Sequence, residues 1–149
     1  MIKKIAIYVL CLSVLFSQFS IAEEKFLSLK KSKVNVRYGP SFDSKIKYIY
    51  KKINLPIKQI DQKENFRRIV DLKNNSGWIH ISQIKKSNSI IILEDKILYK
   101  KPSNFSKPIA KLEKGRLLIL KKCENSWCNV KTEDYSGWVK TENIWGSVN

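Results

Sequence analysis

The chain carries the same order of short motifs twice, and this constrains its fold more than any other feature. Pro40-Ser41-x-x-Ser44-Lys45 returns as Pro102-Ser103-x-x-Ser106-Lys107. Ser76-Gly77-Trp78-Ile79 returns as Ser136-Gly137-Trp138-Val139, and Ile84, six residues beyond the first tryptophan, is matched by Ile144, six beyond the second. Glu64-Asn65-Phe66 with Ile69 finds a counterpart in Glu124-Asn125-Ser126-Trp127 with Val130, one residue longer. Anchors repeated in one order mark a duplicated structural unit. The predicted units cover 23–84 and 89–149, joined by the polar linker Lys85-Lys86-Ser87-Asn88.

Each unit reads as all-β. Apolar and polar residues alternate in Lys33-Val34-Asn35-Val36-Arg37 and in Lys45-Ile46-Lys47-Tyr48-Ile49-Tyr50, the period of a strand with one face buried. Leu55 to Ile60, Phe66 to Leu72 and Gly77 to Ile81 are further candidates, and Asn74-Asn75-Ser76-Gly77 reads as a hairpin turn. No segment of useful length has helical periodicity. Strands this short and this few suit a small barrel, closed or nearly closed, better than a sandwich. Units of about 60 residues bury only a marginal core, so the two barrels are expected to pack on each other.

The N-terminus reads as a secretory signal over residues 1–22. Lys3 and Lys4 give the positive start, Ile5 to Phe16 the apolar run, and Ser20-Ile21-Ala22 the small-residue cleavage site. An uncleaved anchor is the alternative, because the apolar stretch extended to Ile21 approaches the ~20 residues of a spanning helix. Gln18 and the cleavage site argue against it. Cys11 sits in the middle of the run, behind the bulky Val9 and Leu10, and reads as an incidental apolar residue rather than a lipid-bearing one. Cleavage near Ala22 places the remaining 127 residues in the periplasm.

Without Lys3 and Lys4, 27 Lys and Arg face 13 Asp and Glu, a net charge of +14 spread over nearly the whole length. Outside the cytoplasm the available polyanions are phospholipid head groups and anionic wall or lipopolysaccharide polymers, so an anionic surface is a more fitting partner than nucleic acid. A genome-wide bias towards Lys, Ile and Asn explains the same charge without any function. Cys123 and Cys128 are the remaining cysteines, and in an oxidising compartment a pair reads first as a disulfide. Facing each other across a hairpin, they would close a short loop worth roughly 2 kcal/mol by the chain-entropy argument. A metal site wants more ligands than these and the single histidine, His80, so no metal and no cofactor is expected. His80 stands in no motif, the serines fall in turns without a Gly-x-Ser-x-Gly elbow, and no glycine-rich phosphate loop is present. The chain is not expected to be an enzyme. A hydrolase would need His80 in a pocket with a carboxylate.

Asn35-Val36-Arg37-Tyr38-Gly39-Pro40-Ser41, followed by Gly77-Trp78-Ile79 and closing at Ile84, resembles the pattern of bacterial SH3-like domains. The run Cys123-x-x-x-Trp127-Cys128-x-Val130, then Gly137-Trp138-Val139 and Ile144-Trp145-Gly146, resembles the exported two-repeat proteins of that family. The second repeat departs from the pattern: Asp95 to Ser103 lacks the Asn-x-Arg and the glycine. The resemblance implies two tandem SH3-like barrels and a binding module of the cell envelope that recognises peptidoglycan or another wall component. The alternative is a periplasmic scaffold that takes an extended peptide of an envelope protein. Val34 and Val36 are expected to point inward and Asn35 and Arg37 outward. Val34, Val36, Trp127 and Trp138 are the predicted core, the tryptophans filling or covering a small barrel. Arg37, Tyr38, Phe42 and Trp78 are the candidate ligand-binding residues, because the first repeat keeps the motif.

Overall fold

The computed structural model describes residues 25–148. The expected signal segment, Cys11 and the cleavage site near Ala22 lie outside the described residues. Short runs of β-branched and aromatic residues broken by Asn, Gly and Ser turns give strands throughout. Among the described residues the one helical element is a single 3-10 turn at Ile81–Gln83. The first half holds β1 (Lys25–Leu29), β2 (Val34–Arg37), β3 (Ile46–Tyr50), β4 (Pro56–Lys63), β5 (Phe66–Val70), β6 (Ser76–His80) and β7 (Ile84–Lys86). The second holds β8 (Ser89–Ile92), β9 (Lys96–Tyr99), β10 (Pro108–Leu112), β11 (Leu117–Glu124), β12 (Trp127–Lys131), β13 (Ser136–Lys140) and β14 (Ile144–Gly146). Because β7 continues to Lys86, only Ser87 and Asn88 of the expected linker stand between strands.

The duplication seen in the motifs is a duplication of topology. The first sheet runs β3-β2-β6-β5-β4-β1-β7 and the second β10-β9-β13-β12-β11-β8-β14, the same order with each number raised by seven. All pairings are antiparallel. Neither ladder joins its two outer strands, so β3 and β7 are edges of one sheet and β10 and β14 of the other, and the fully closed barrel is not formed by these pairings.

Each sheet wraps its own apolar cluster. Leu29, Val34, Val36, Ile57, Ile69 and Ile79 are fully buried in the first, and Ile90, Ile92, Leu98, Leu118, Val130 and Val139 in the second. Cys128 joins the second cluster and pairs directly across the β11–β12 hairpin with Cys123, to which it is disulfide-bonded, with the Cα atoms 4.1 Å apart.

The tryptophan placement needs correction. Trp127 and Trp138 are half-buried on the outer face and absent from the core cluster. Side chains alternate along a strand, and in Gly137-Trp138-Val139 the inward positions go to Gly137 and the fully buried Val139. In Trp127-Cys128-Asn129-Val130 they go to Cys128 and Val130. The inward slot beside each Gly-Trp tryptophan holds a glycine because another strand passes there: a Cβ on Gly77 would lie 2.4 Å from Val36 Cγ1.

The two sheets are joined by a buried polar seam. Ser28 Oγ and Ser89 Oγ are 2.8 Å apart, the Asn88 N–H donates to Ser28 Oγ at 3.2 Å, and Ser89 Oγ donates to the Asn54 carbonyl. Since the single Ser89 proton goes to Asn54, Ser28 is the donor of the pair. Trp145 donates from Nε1 to the Pro56 carbonyl at 3.1 Å, and its ring packs edge-on against Phe26 at 5.2 Å.

A second polar chain ties edge strand β3 to the β5–β6 turn. Tyr50 donates to Asp71 Oδ2 at 3.0 Å, and the same carboxylate accepts from the Lys73 and Asn75 N–H groups. Tyr48 lies 3.3 Å from the Tyr50 hydroxyl and is its donor, since the Tyr50 proton is committed to Asp71. Burial, then Tyr48 and the Asp71 charge, push Tyr50 far above its ordinary value. A folded-state pKa raised in this way gives stability that is complete below the unfolded pKa of about 10 and is lost as pH rises beyond it. Denaturant melts between about pH 8 and about pH 11 should show stability falling above about pH 10. In Tyr50→Phe that slope should flatten, with about 1 kcal/mol lost at neutral pH from the missing hydrogen bond.

Candidate functional site

The outer face of the first sheet is built by register. Arg37 on β2 pairs with Trp78 on β6, and Trp78 pairs with Arg68 on β5, so one row across three strands reads cation, indole, cation. Tyr38, Lys47, Ser76 and Gly77 complete the lining of a hollow of about 300 Å³ at this row. Its lining holds Arg37, Lys47 and Arg68 and no carboxylate.

Three of the four candidate ligand-binding residues, Arg37, Tyr38 and Trp78, share this hollow. Phe42 does not line it. Its ring packs instead on Phe66 at 5.2 Å and His80 at 4.8 Å, in the next row of the same face, where Phe66 pairs with His80. Arg37 stands between the two groups, its guanidinium carbon 5.6 Å from the Phe42 ring centre. One of its terminal nitrogens donates to the Phe42 carbonyl at 3.0 Å and the Ser44 carbonyl at 2.8 Å, so Arg37 clasps the loop after β2. Lys47 donates to the Ser76 carbonyl at 2.9 Å and sits 5.6 Å from the Tyr38 ring centre.

Arg68 was not among the candidates read from the sequence. It is exposed, and among the described residues its guanidinium has no hydrogen bond or ion pair, which makes it the uncommitted cation of the hollow. The signal was its strand position: Ile69 faces the core, so Arg68 must share the outer face with the tryptophan of the neighbouring strand. Tyr38 is 66% exposed and Phe42 62%, so flat apolar surface lies open beside these charges.

The second repeat builds the same row from other residues. Tyr99 takes the place of Arg37 and pairs with Trp138, which pairs in turn with Asn129 where the first repeat has Arg68. Tyr99 packs edge-on against Trp127 at 5.7 Å, and Lys122 and Lys140 lie over the Trp138 and Trp127 rings at 5.8 Å each. The hollow next to Tyr99, about 170 Å³, is lined by Glu94, Asp95 and Glu142 as well as by lysines. The lost Asn-x-Arg motif therefore shows as a face without its flanking arginines.

His80 sets Nδ1 2.9 Å from Ser82 Oγ, and its ring meets both Phe42, tilted at 4.8 Å, and Phe66, edge-on at 5.1 Å. Among the described residues no group of three or more His, Cys, Asp or Glu is placed to hold a metal ion.

Comparison with known proteins bears on both repeats. No curated protein matches the chain. Among solved structures, NlpC2 from Trichomonas vaginalis aligns at 10% identity with a TM-score of 0.39, covering 83% of this chain and 48% of that one. NlpC1 from the same organism aligns at 10% identity and 0.39, covering 84% and 46%. The chain spans about half the length of these two proteins. A family model described as the bacterial SH3 domain matches residues 30–86 and again 95–146, one match on each of the two sheets with identical strand order. Matched in this way over most of its length and in both repeats, the chain belongs to the bacterial SH3 domain family.

Proposed function

We propose that the chain is a non-catalytic binding module of the cell envelope, exported to the periplasm by the segment before Glu23, whose first repeat takes an anionic cell-wall component such as peptidoglycan. The observation that carries this reading is the row Arg37, Trp78, Arg68 beneath an acid-free hollow. An indole offers a flat face for a sugar or peptide plane, and an uncommitted guanidinium takes a carboxylate in a two-pronged bond. Membership of the family supports a wall ligand, and His80, engaged by a serine and two phenyl rings, supports the non-catalytic part. Each sheet, in this reading, curls into a partly open barrel around its core. Gln83 supports such curling in the first repeat: its carbonyl accepts from the Lys30 N–H at 2.9 Å and its Oε1 from the Asn35 N–H at 3.2 Å.

The test is co-sedimentation of the chain from Glu23 onward with peptidoglycan sacculi at low salt. The chain should pellet with the sacculi, be released by salt, and liberate no soluble wall fragments. A chain that stays in the supernatant ends the wall reading, and the appearance of fragments ends the non-catalytic one.

One observation favours a second reading, a scaffold for an extended peptide. Strand β3 is paired on one side only and carries Ile46 and Ile49, 45% and 38% exposed, so it can accept an added strand. Crosslinking in intact cells separates the two, since this reading requires a protein captured at β3 and the first requires wall fragments at the hollow.

A further inference from the structure

The loops that follow β2 and β9 are the same loop folded twice, and their difference points to a membrane contact. In the first, the Tyr38 N–H donates to the Lys45 carbonyl at 3.1 Å, the Ser44 N–H to the Ser41 carbonyl at 3.2 Å, and the Asp43 N–H to Ser41 Oγ at 3.1 Å. In the second, the Lys100 N–H donates to the Lys107 carbonyl at 2.9 Å, the Ser106 N–H to the Ser103 carbonyl at 3.1 Å, and the Phe105 N–H to Ser103 Oγ at 3.2 Å. These three bonds are shared, and what changes most is which position carries the phenyl ring.

Phe42 occupies the position before the acid Asp43, and its ring folds onto Phe66 and His80. In the second loop Asn104 stands at that position and the phenylalanine moves one residue on, to the place of Asp43. There Phe105 is 101% exposed, as open as a phenylalanine can be, on a tip fixed by those three hydrogen bonds and by two more, from the Lys101 N–H to Ser106 Oγ and from the Ser103 N–H to the Lys101 carbonyl, at 2.8 Å each. The shift removes an acid and puts a bare ring in its place. Lys100, Lys101 and Lys107 flank the tip, all exposed and none with a side-chain partner among the described residues. Where Tyr38 and Gly39 stand in the first loop, the second has Lys100 and Lys101. Two of the acids near the base of the loop are already held: Glu94 by Lys96 at 3.0 Å and Asp95 by Lys111 at 2.9 Å.

A rigid tip with one wholly exposed aromatic ring and a collar of free ammonium groups is complementary to one surface in particular. Aromatic rings partition into the head-group region of a bilayer, and each nearby lysine is attracted to anionic lipid by about 1 kcal/mol. We propose that the 100–107 loop is a membrane-docking tip, Phe105 entering the head-group layer of an anionic bilayer and the three lysines pairing with its phosphates. The contact is weak and reversible because one ring and three charges are all it has. It holds the second repeat on the membrane through residues that do not line the hollow of the first repeat.

The experiment is sedimentation of the chain from Glu23 onward, which contains every described element, with vesicles of equal parts phosphatidylglycerol and phosphatidylcholine, and with phosphatidylcholine alone. Saturable binding is expected to the anionic vesicles only, weakened about ten-fold or more between 50 and 300 mM salt as the charges are screened. Phe105→Ser should weaken it about five-fold or more, Phe105→Trp should restore it, and Lys101→Glu should weaken it similarly. Tyr135→Ser, which alters an exposed ring on a different turn, should bind as the parent does. All these positions are exposed, so the thermal unfolding midpoints should stay together. Equal binding to neutral vesicles, unchanged binding in Phe105→Ser, or no binding at low salt each overturns the proposal. Retained sacculus binding by Phe105→Ser is expected, so the two contacts fail separately.

Discussion

Gly77→Ala is expected to destabilise the first repeat by about 3 kcal/mol, the upper part of the range for forcing one extra carbon into a close-packed core. Its Cβ would stand 2.4 Å from Val36 Cγ1 and 3.0 Å from the Arg37 carbonyl oxygen. Val36 is fully buried with stiff branching at Cβ, and the carbonyl belongs to the strand that carries the site, so neither neighbour can yield cheaply. Gly137→Ala should behave alike, with its Cβ 2.7 Å from the Tyr99 carbonyl oxygen and 2.9 Å from Leu98 Cγ. Gly115 supplies the contrast: nothing lies within 4 Å of its Cβ position, and its φ of +85° leaves only the left-handed backbone cost of roughly 1 kcal/mol. Urea midpoints of the three variants decide the matter. If Gly115→Ala costs as much as Gly77→Ala, close strand approach is not what the glycines serve.

The same glycines explain what the sequence could and could not tell. The duplicated Gly-Trp motif located a strand in each half, and the repeat order foretold that both halves share a topology. Alternation in Val34-Asn35-Val36-Arg37 set that strand's faces, because only one parity is apolar. It failed for Trp127 and Trp138, where parity is ambiguous: in Trp127-Cys128 and Trp138-Val139 both members are apolar, and a ring of that size invites a core role. The deciding residue was the glycine, which carries no hydrophobicity and so gives no signal of facing inward. Once Gly77 and Ile79 are taken as one face, Trp78 must stand on the other. Arg68 escaped for a related reason, since its neighbours in the row, Arg37 and Trp78, are 31 and 10 residues away in the chain and meet it only through strand pairing. The polar seam of Ser28, Ser89 and Asn54 is likewise invisible to periodicity, because serines and asparagines read as turn formers until their partners are known.

That register also singles out the substitution with the largest expected effect on binding. Arg68→Glu replaces the hollow's free cation by an anion, and at low salt should weaken retention on sacculi at least about ten-fold, the combined loss of a charge-assisted bond and gain of a repulsion. Arg37 is a poorer choice for the test, because removing it also frees the loop held at the Phe42 and Ser44 carbonyls and mixes a structural loss with a binding one. Arg68 has no such partner, so its change should leave stability within about 0.5 kcal/mol of the parent. Arg68→Lys should keep part of the binding, since an ammonium supplies the charge without the planar fork. Lys131→Glu, on the outer face of the second repeat, alters the net charge by the same amount far from the hollow in sequence and outside its lining. If the two charge reversals weaken retention equally, the wall is held by diffuse charge on a basic chain. If Arg68→Glu alone weakens it, the row of Arg37, Trp78 and Arg68 is the binding site.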